Sequence, residues 1–215
     1  MSPILVLDTT NAWCACALQS SVGVSERAEE LGRGHAERLA PMVREILLQA
    51  EIKPTDLTRI GVNTGPGSFA GARVGVSFAR GLALSTGAKP VGIGLLPALA
   101  LQADPDQIQT VMAVHDARRG ELIWQIFRNG EAENEPTKSD LETARTAYEQ
   151  AGQPRLTGLG AQLVDPAQPD FDSKPPLAAL LTLTAHAPET APAPSPIYAR
   201  PPDAKLPGGI DPSAQ

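Results

Sequence analysis

The spacing that most resembles a chemical site is the glycine-rich segment "GPGSFAGARVG", residues 65–75. It follows a predicted strand and opens a predicted helix, which is where phosphate-binding turns commonly lie. A P-loop also requires Gly-Lys followed by Ser or Thr. The dipeptide Gly-Lys occurs nowhere in the chain. The sequence therefore excludes a P-loop.

The same segment matches a dinucleotide fingerprint in part, because "GPGSFA" fits G-x-G-x-x-G/A. That fingerprint needs an acidic residue about 20 positions further on, which binds the ribose hydroxyls. No Asp or Glu lies between Asp56 and Asp104, and Pro66 removes one amide N–H from the turn. The sequence therefore disfavours a dinucleotide site.

Packing is the third interpretation, because small residues recur every four positions along the predicted helix: Gly67, Gly71, Gly75, Ala79, Ala83 and Gly87. Glycine inside a helix costs on the order of 1 kcal/mol relative to alanine, so a close approach must compensate for it. A helix of a partner protein or the protein's own sheet would each supply that approach. The partner helix is the favoured hypothesis, since Arg73, Ser77 and Arg80 form a polar stripe beside these small residues.

Asp8, Thr9 and Thr10 end the first predicted strand, "ILVLD". In actin-like kinases an aspartate in this place helps to hold metal and phosphate, so a resemblance to them makes these three residues a candidate remnant nucleotide site. Asp and Thr side chains also cap tight turns through their own backbone. The turn is the favoured interpretation, because the second half of the chain offers no loop suited to complete a nucleotide cleft.

His35 is the candidate metal ligand, but no second histidine follows one helical turn later, where Leu39 stands. A lone histidine with Glu37 does not make a metal site. We therefore predict no metal and no cofactor, and place His35 at a helix start. The chain also lacks the G-x-S-x-G signature of a serine nucleophile. The turn "DARRGE", residues 116–121, is either a solvated hairpin or a partner contact.

The predicted elements form two related lobes. The first half of the chain has the order βββ-α-β-α-β-α, and the second restarts with a hairpin but is shorter. We expect an N-terminal lobe over residues 1–105, a reduced C-terminal lobe over residues 106–187, and a proline-rich tail over residues 188–215.

Composition bounds the function classes. The chain has 215 residues and a formal net charge of -6, and only 4% of its residues are aromatic, which disfavours direct nucleic-acid binding. No apolar run is long enough to span a bilayer, and no signal peptide is recognisable. Cys14 and Cys16 are expected to be buried thiols. These features together predict a cytoplasmic protein.

Several motifs in the expected order resemble the TsaB (YeaZ) family, a bacterial relative of TsaD/Kae1. They are "LDTT" (7–10), "HAERLAPMV" (35–43), "GPGSFAGARVGVSFARGLAL" (65–84), "DARRGELIW" (116–124) and "PIYAR" (196–200). The glycine segment is the most specific of them. Ala70 departs from the pattern, which usually has threonine there.

The resemblance implies an α/β, actin-like and sugar-kinase-like (ASKHA) fold of two βββαβαβα-type lobes, the second truncated. It implies a role in forming threonylcarbamoyladenosine beside the anticodon of tRNAs. In that role the chain is a non-catalytic partner of TsaD, which carries the transfer chemistry, and the ATPase TsaE joins the pair. Family members use the same surface to pair with TsaD or with themselves, so the resemblance allows a homodimer when the chain is alone without predicting its oligomeric state. Contact with tRNA is expected only through the complex.

The resemblance also implies that two helices of the first lobe form the partner surface. The residues expected there are His35, Arg38, Leu39, Met42, Gly71, Arg73, Gly75, Ser77, Ala79 and Arg80. The alternative function is a small phosphotransferase or ATPase that uses the Asp8 cleft. A stand-alone regulatory homodimer is the third class.

Overall fold

Short apolar runs form the strands of two mixed sheets, and the segments of helical periodicity cover them. The computed structural model describes residues 2–198. Within these residues the first sheet consists of β1 (Ile4–Asp8), β2 (Trp13–Ser20), β3 (Gly23–Glu30), β4 (Arg59–Asn63) and β5 (Lys89–Ile93). The second consists of β6 (Thr110–Arg118), β7 (Glu121–Arg128), β8 (Glu131–Ala132), β9 (Thr137–Asp140) and β10 (Arg155–Thr157).

The helices follow the strands in the order that the sequence predicts for the first half of the chain. They are α1 (His35–Gln49), α2 (Phe69–Thr86), α3 (Leu95–Ala103), α4 (Leu141–Gln150), α5 (Ala161–Val164) and α6 (Leu177–His186). A short 3₁₀ turn, Pro54–Asp56, precedes β4.

The first sheet brings the ends of β1 and β4 together. Its strand order is β3-β2-β1-β4-β5, with β1, β2 and β3 antiparallel and with β4 and β5 parallel to β1. Leu7 lies opposite Val62, so Asp8 and Asn63 stand side by side where the two strands end. Polar residues from two distant segments therefore meet at one edge of the sheet.

Helices α1 and α2 cover one face of this sheet. α1 is amphipathic, and its buried apolar stripe comprises Leu39, Met42, Val43, Ile46 and Leu47. These side chains pack against β1, β2, β4 and α2 in one core cluster. Each large side chain buried there contributes roughly 1.5–3 kcal/mol to the free energy of folding. The predicted α1 is confirmed.

The second sheet is smaller, with the order β10-β6-β7-β8 and with β9 also paired to β7. α3 packs on one of its faces through Leu95, Leu96 and Leu99. α4 and α5 cover the other face. The second lobe therefore repeats only part of the first.

α6 returns to the first sheet and covers the face opposite α1 and α2. Its Leu177, Leu180 and Leu181 share a core cluster with Val6 of β1 and Val91 of β5. The sequence placed this helix in the C-terminal lobe, and that placement is wrong, because an almost uniformly apolar helix carries no pattern that selects between two sheets. The division at residue 105 remains a prediction.

Residues 188–198 begin with a turn at Glu189 and Thr190 and then run along the first lobe, and we call them the C-terminal strap. The carboxylate of Glu189 pairs with Arg59 and Lys89, and Pro194 is buried against Gly92. The backbone N–H of Ile197 donates to the carbonyl oxygen of Thr64 at 2.7 Å. The rest of the predicted tail, including Arg200 of the "PIYAR" motif, lies outside the described residues.

Candidate functional site

The carboxylate of Asp8 is enclosed by hydrogen-bond donors of its own chain. Its Oδ1 accepts from the backbone N–H and from the hydroxyl of Thr10, both at 2.8 Å. Its Oδ2 accepts from the Asn63 side-chain amide at 2.7 Å. Asp8 is 0% exposed. This is the capped turn that the sequence favoured, closed by a residue, Asn63, that the sequence did not single out.

Two opposing effects act on the pKa of Asp8. Burial raises it, because desolvation disfavours the charged form. The hydrogen bonds from Asn63 and Thr10 and the nearby His35 act in the opposite direction, and the net direction is upward. The same donors occupy both carboxylate oxygens, so Asp8 presents no exposed acceptor to a phosphate or a metal in this conformation.

Gly71 and Gly75 of α2 leave room for the turn at Thr9 of the same chain. The hydroxyl of Thr9 donates to the carbonyl oxygen of Gly71 at 2.7 Å, and a Cβ added to Gly71 would overlap the Thr9 carbonyl oxygen. A Cβ added to Gly75 would lie 2.7 Å from the Thr9 hydroxyl and 3.2 Å from Val62. The partner-helix hypothesis for Gly71 and Gly75 is therefore wrong, and the alternative of internal packing is correct for both.

Other residues expected at the partner surface also lie inside the fold. Leu39, Met42 and Ala79 are buried in the core beneath α1 and α2. His35 is buried at the first position of α1, so the predicted helix start is confirmed, and its Nε2 has no hydrogen-bond partner among the described residues. These four residues cannot contact a partner directly, because the chain itself covers them.

The remaining four residues expected at the partner surface are exposed or half-buried. Arg73, Ser77 and Arg80 are exposed along one side of α2. Arg38 is half-buried, and its guanidinium binds Glu29 and Glu45 through donor–acceptor distances from 2.5 to 3.0 Å. Arg38 therefore already has carboxylate partners within its own chain.

Two aromatic side chains that sequence reasoning missed hold Arg73. The Arg73 guanidinium carbon lies 4.0 Å from the ring centroid of Phe69 and 5.7 Å from that of Tyr198. The two rings are 4.6 Å apart, and the Arg73 Nε–H donates to the Tyr198 hydroxyl at 2.9 Å. The motif "PIYAR" (196–200) was the available signal for Tyr198, but it did not indicate where this side chain docks.

The second lobe has its own aspartate turn, between β6 and β7. Asp116 accepts from the backbone N–H of Arg118 at 2.7 Å and forms an ion pair with the Arg118 guanidinium. Neighbouring His115 is half-buried, and burial lowers its pKa to about 4. This turn lies about 100 residues from Asp8 in sequence.

Further sequence predictions concern metal, thiols and membranes. Within residues 2–198, no three His, Cys, Asp or Glu side chains are grouped closely enough to hold a metal ion. Cys14 and Cys16 are free and buried, which confirms the prediction, and burial raises their pKa values to about 11 and about 12. Among the described helices, none combines the length and apolarity that a bilayer crossing requires.

Comparison with known proteins gives matches over most of the chain. Residues 25–153 match the TsaD family model, described as tRNA N6-adenosine threonylcarbamoyltransferase. The tRNA threonylcarbamoyladenosine biosynthesis protein TsaB of Escherichia coli is 36% identical over 129 residues, which are 60% of this chain and 56% of that protein. TsaB of Haemophilus influenzae is 34% identical over 58% of this chain and 54% of its own length. The chain thus spans about half the length of these curated relatives.

Another relative matches over almost the whole chain, and two solved structures match in three dimensions. The uncharacterized protein Rv3421c of Mycobacterium tuberculosis is 31% identical over 95% of both chains. YeaZ from Pseudomonas aeruginosa superposes with a TM-score of 0.57 and 31% identity over 65% of this chain and 67% of that one. An uncharacterized protein described as similar to peptidase YeaZ from Pseudomonas aeruginosa superposes with a TM-score of 0.64, at 27% identity, over 86% of this chain and 91% of its own. The predicted actin-like α/β fold is confirmed, and the chain belongs to the TsaB (YeaZ) family.

Proposed function

We propose that this protein acts in forming threonylcarbamoyladenosine on tRNA, as a non-catalytic partner subunit of TsaD. TsaD carries the transfer chemistry, and the ATPase TsaE joins the pair. The relatives named TsaB support the pathway, because their names assign them to the biosynthesis of this modified nucleoside. The complex works in the cytoplasm, and tRNA reaches this chain only through TsaD.

The observation that carries the non-catalytic role is the enclosed Asp8 turn. A phosphotransferase needs an open acceptor for a metal or a phosphate at this position. Asp8 instead binds Thr10 and Asn63, and Gly71 packs on the neighbouring Thr9. These contacts support a structural role for the turn and weigh against the alternative of a small phosphotransferase or ATPase.

A partner surface is supported by what α1 and α2 expose. Arg73, Ser77 and Arg80 face outward on α2, and Leu84 of the same helix is 90% exposed. Leu48 of the adjacent α1 is also exposed. A face that combines exposed large apolar side chains with cations is typical of a protein–protein contact. The same face would serve a homodimer when TsaD is absent.

Reconstitution tests the proposal directly. Purified TsaD, TsaE, unmodified tRNA and a threonylcarbamoyl donor are incubated with and without this chain, and the digested tRNA is analysed for the modified nucleoside by mass spectrometry. We expect modification only when the chain is present. We also expect the chain alone to modify no tRNA and to hydrolyse no ATP.

Two outcomes would count against this function. Full modification without the chain would remove the need for a partner subunit. Tight ATP binding by the isolated protein that is lost in Asp8→Ala would instead support the phosphotransferase. Asp8→Asn keeps the size of the side chain and serves as the matched variant for that measurement.

A further inference from the structure

The C-terminal strap reaches the first turn of α2 and becomes part of its outer surface. After the hydrogen bond from Ile197 to Thr64, Tyr198 forms a parallel bridge with Gly67. A Cβ added to Gly65 would lie 2.5 Å from the Ile197 carbonyl oxygen, so the strap comes as close to this turn as glycine allows. The strap is therefore docked by backbone contacts and not by side chains alone.

This docking places Tyr198 against Phe69 and Arg73. The Arg73 guanidinium stacks on Phe69 and donates its Nε–H to the Tyr198 hydroxyl. Stacking on aromatic rings is a favourable arrangement for a guanidinium, and the hydrogen bond fixes the direction of its plane. No hydrogen bond within residues 2–198 engages the two terminal nitrogens of Arg73.

The charges around α2 leave Arg73 without a carboxylate. No Asp or Glu occurs between Asp56 and Asp104. The other cations of this stretch, Arg59 and Lys89, pair with Glu189 of the strap. Within the described part of the chain, neither Arg73 nor Arg80 forms an ion pair, whereas Arg38 on α1 has two. Within residues 2–198, Arg73 is therefore a cation that can accept a carboxylate from another protein.

We propose that Tyr198 of the strap and Phe69 hold Arg73 as a pre-oriented cation that pairs with a carboxylate of the partner protein. The inference rests on the proposed function, because it assigns a residue and a chemistry to the contact with TsaD. The two terminal nitrogens of Arg73, which bind no group within residues 2–198, match a carboxylate in bidentate geometry. A guanidinium that is already oriented loses less conformational entropy on binding.

A protein carboxylate fits this face better than an RNA phosphate does. Two arginines on an otherwise uncharged helix face do not make the basic stripe that a phosphate backbone requires. Leu84, on the same helix, is almost fully exposed, and a phosphate backbone offers it no apolar counterpart. Arg73 and Tyr198 thus form one recognition element of a protein interface.

Calorimetric titration of TsaD into the full chain tests the inference at about 50 and about 300 mM salt. We expect Arg73→Gln to weaken binding at least about 10-fold and to reduce its salt dependence. Tyr198→Ala, which leaves Arg73 unsupported on one side, should weaken binding about 5-fold. Tyr198→Phe keeps the ring and loses only the hydroxyl, so it should retain most of the wild-type affinity.

The control is Arg155→Gln, which removes an exposed arginine of the second lobe and should leave the affinity unchanged. Circular dichroism verifies folding of each variant, and Tyr198→Phe keeps the test valid if Tyr198→Ala unfolds. Wild-type affinity and salt dependence in Arg73→Gln would overturn the inference but not the proposed function. Absence of wild-type binding would overturn both. If Arg73→Gln weakens binding to tRNA and not to TsaD, the acceptor is a phosphate and the inference fails.

Discussion

The aspartate turns that follow β1 and β6 have the same local design and opposite surroundings. In each, a carboxylate oxygen accepts the backbone N–H two residues further on, from Thr10 for Asp8 and from Arg118 for Asp116. Asp8 is 0% exposed, whereas the side chain of Asp116 is 21% exposed and pairs with an exposed arginine. An aspartate at the end of an opening strand is therefore not in itself a sign of chemistry in this fold.

The difference arises from what covers each turn. The first turn lies under the start of α2, where Ser68 and Gly71 bond to Thr10 and Thr9. The second turn has exposed Arg118, Arg119 and Gly120 at its tip, all with positive φ. The first turn is part of the core, and the second is a surface hairpin.

The largest expected effect on stability comes from adding a side chain where α2 packs against the first turn. In Gly71→Ala the new Cβ overlaps the Thr9 carbonyl oxygen, so α2 or the turn must move. We expect the free energy of unfolding to fall by at least about 3 kcal/mol, the upper end of the usual cost of overpacking. Urea unfolding measures it.

Gly81→Ala is the matched control on the same helix, because a Cβ at Gly81 meets no atom within 4 Å. We expect it to leave stability unchanged or to raise it by up to about 1 kcal/mol. Equal effects of the two substitutions would contradict the close contact between α2 and the turn.

Replacing Asp8 and Asp116 separately tests whether burial distinguishes the two turns. Asp8→Ala leaves the Thr10 and Asn63 donors buried without an acceptor, and we expect a loss of about 2 kcal/mol. Asp116→Ala loses a hydrogen bond and an exposed ion pair with Arg118, and should cost about 0.5 kcal/mol. Comparable losses measured by thermal unfolding would mean that burial does not distinguish the two turns.

Acidification should act on the two turns in opposite directions. The folded pKa of His115 is lowered from 6.5 to about 4, so the stability that its neutral form supports is present above 6.5 and is lost as the pH falls. Between about pH 7 and about pH 5 we expect the wild type to lose about 2 kcal/mol more than His115→Gln. Urea unfolding at both pH values measures this difference, and parallel curves would refute it.

The pKa of Asp8 is raised instead, so its effect has the opposite sign. The folded state binds the Asp8 proton more tightly than the unfolded state does. The stability contributed by the protonated form of Asp8 is therefore fully present below the unfolded-state pKa of 3.8. It is lost as the pH rises through the higher pKa of the folded state. Asp8→Asn should remove it.

Local patterns predicted the strands and helices of the first lobe but not the contacts between distant segments. The periodicity of α1 and the short apolar strands were readable because each depends on neighbouring residues. The small residues of α2 were equally compatible with internal and external packing, since a four-residue spacing does not say which side is covered. Only the fold shows that Thr9 covers Gly71.

The same limit applies to α6 and to Tyr198. Arg73 and Tyr198 are 125 positions apart, and nothing in either local sequence indicates that they meet. The role of Asn63 could not be predicted locally, because it depends on the register between β4 and β1. The turn at Asp8 was correctly interpreted from local rules, and the residues that close it were not.

The return of α6 to the first sheet has a consequence for the order of folding during synthesis. Val6 and Val91 share a core cluster with Leu177, Leu180 and Leu181, which leave the ribosome after both sheets have been made. One apolar face of the first lobe therefore stays incompletely covered through most of translation. The nascent chain should bind chaperones that recognise exposed apolar strands until residue 186 has emerged and the helix closes the lobe.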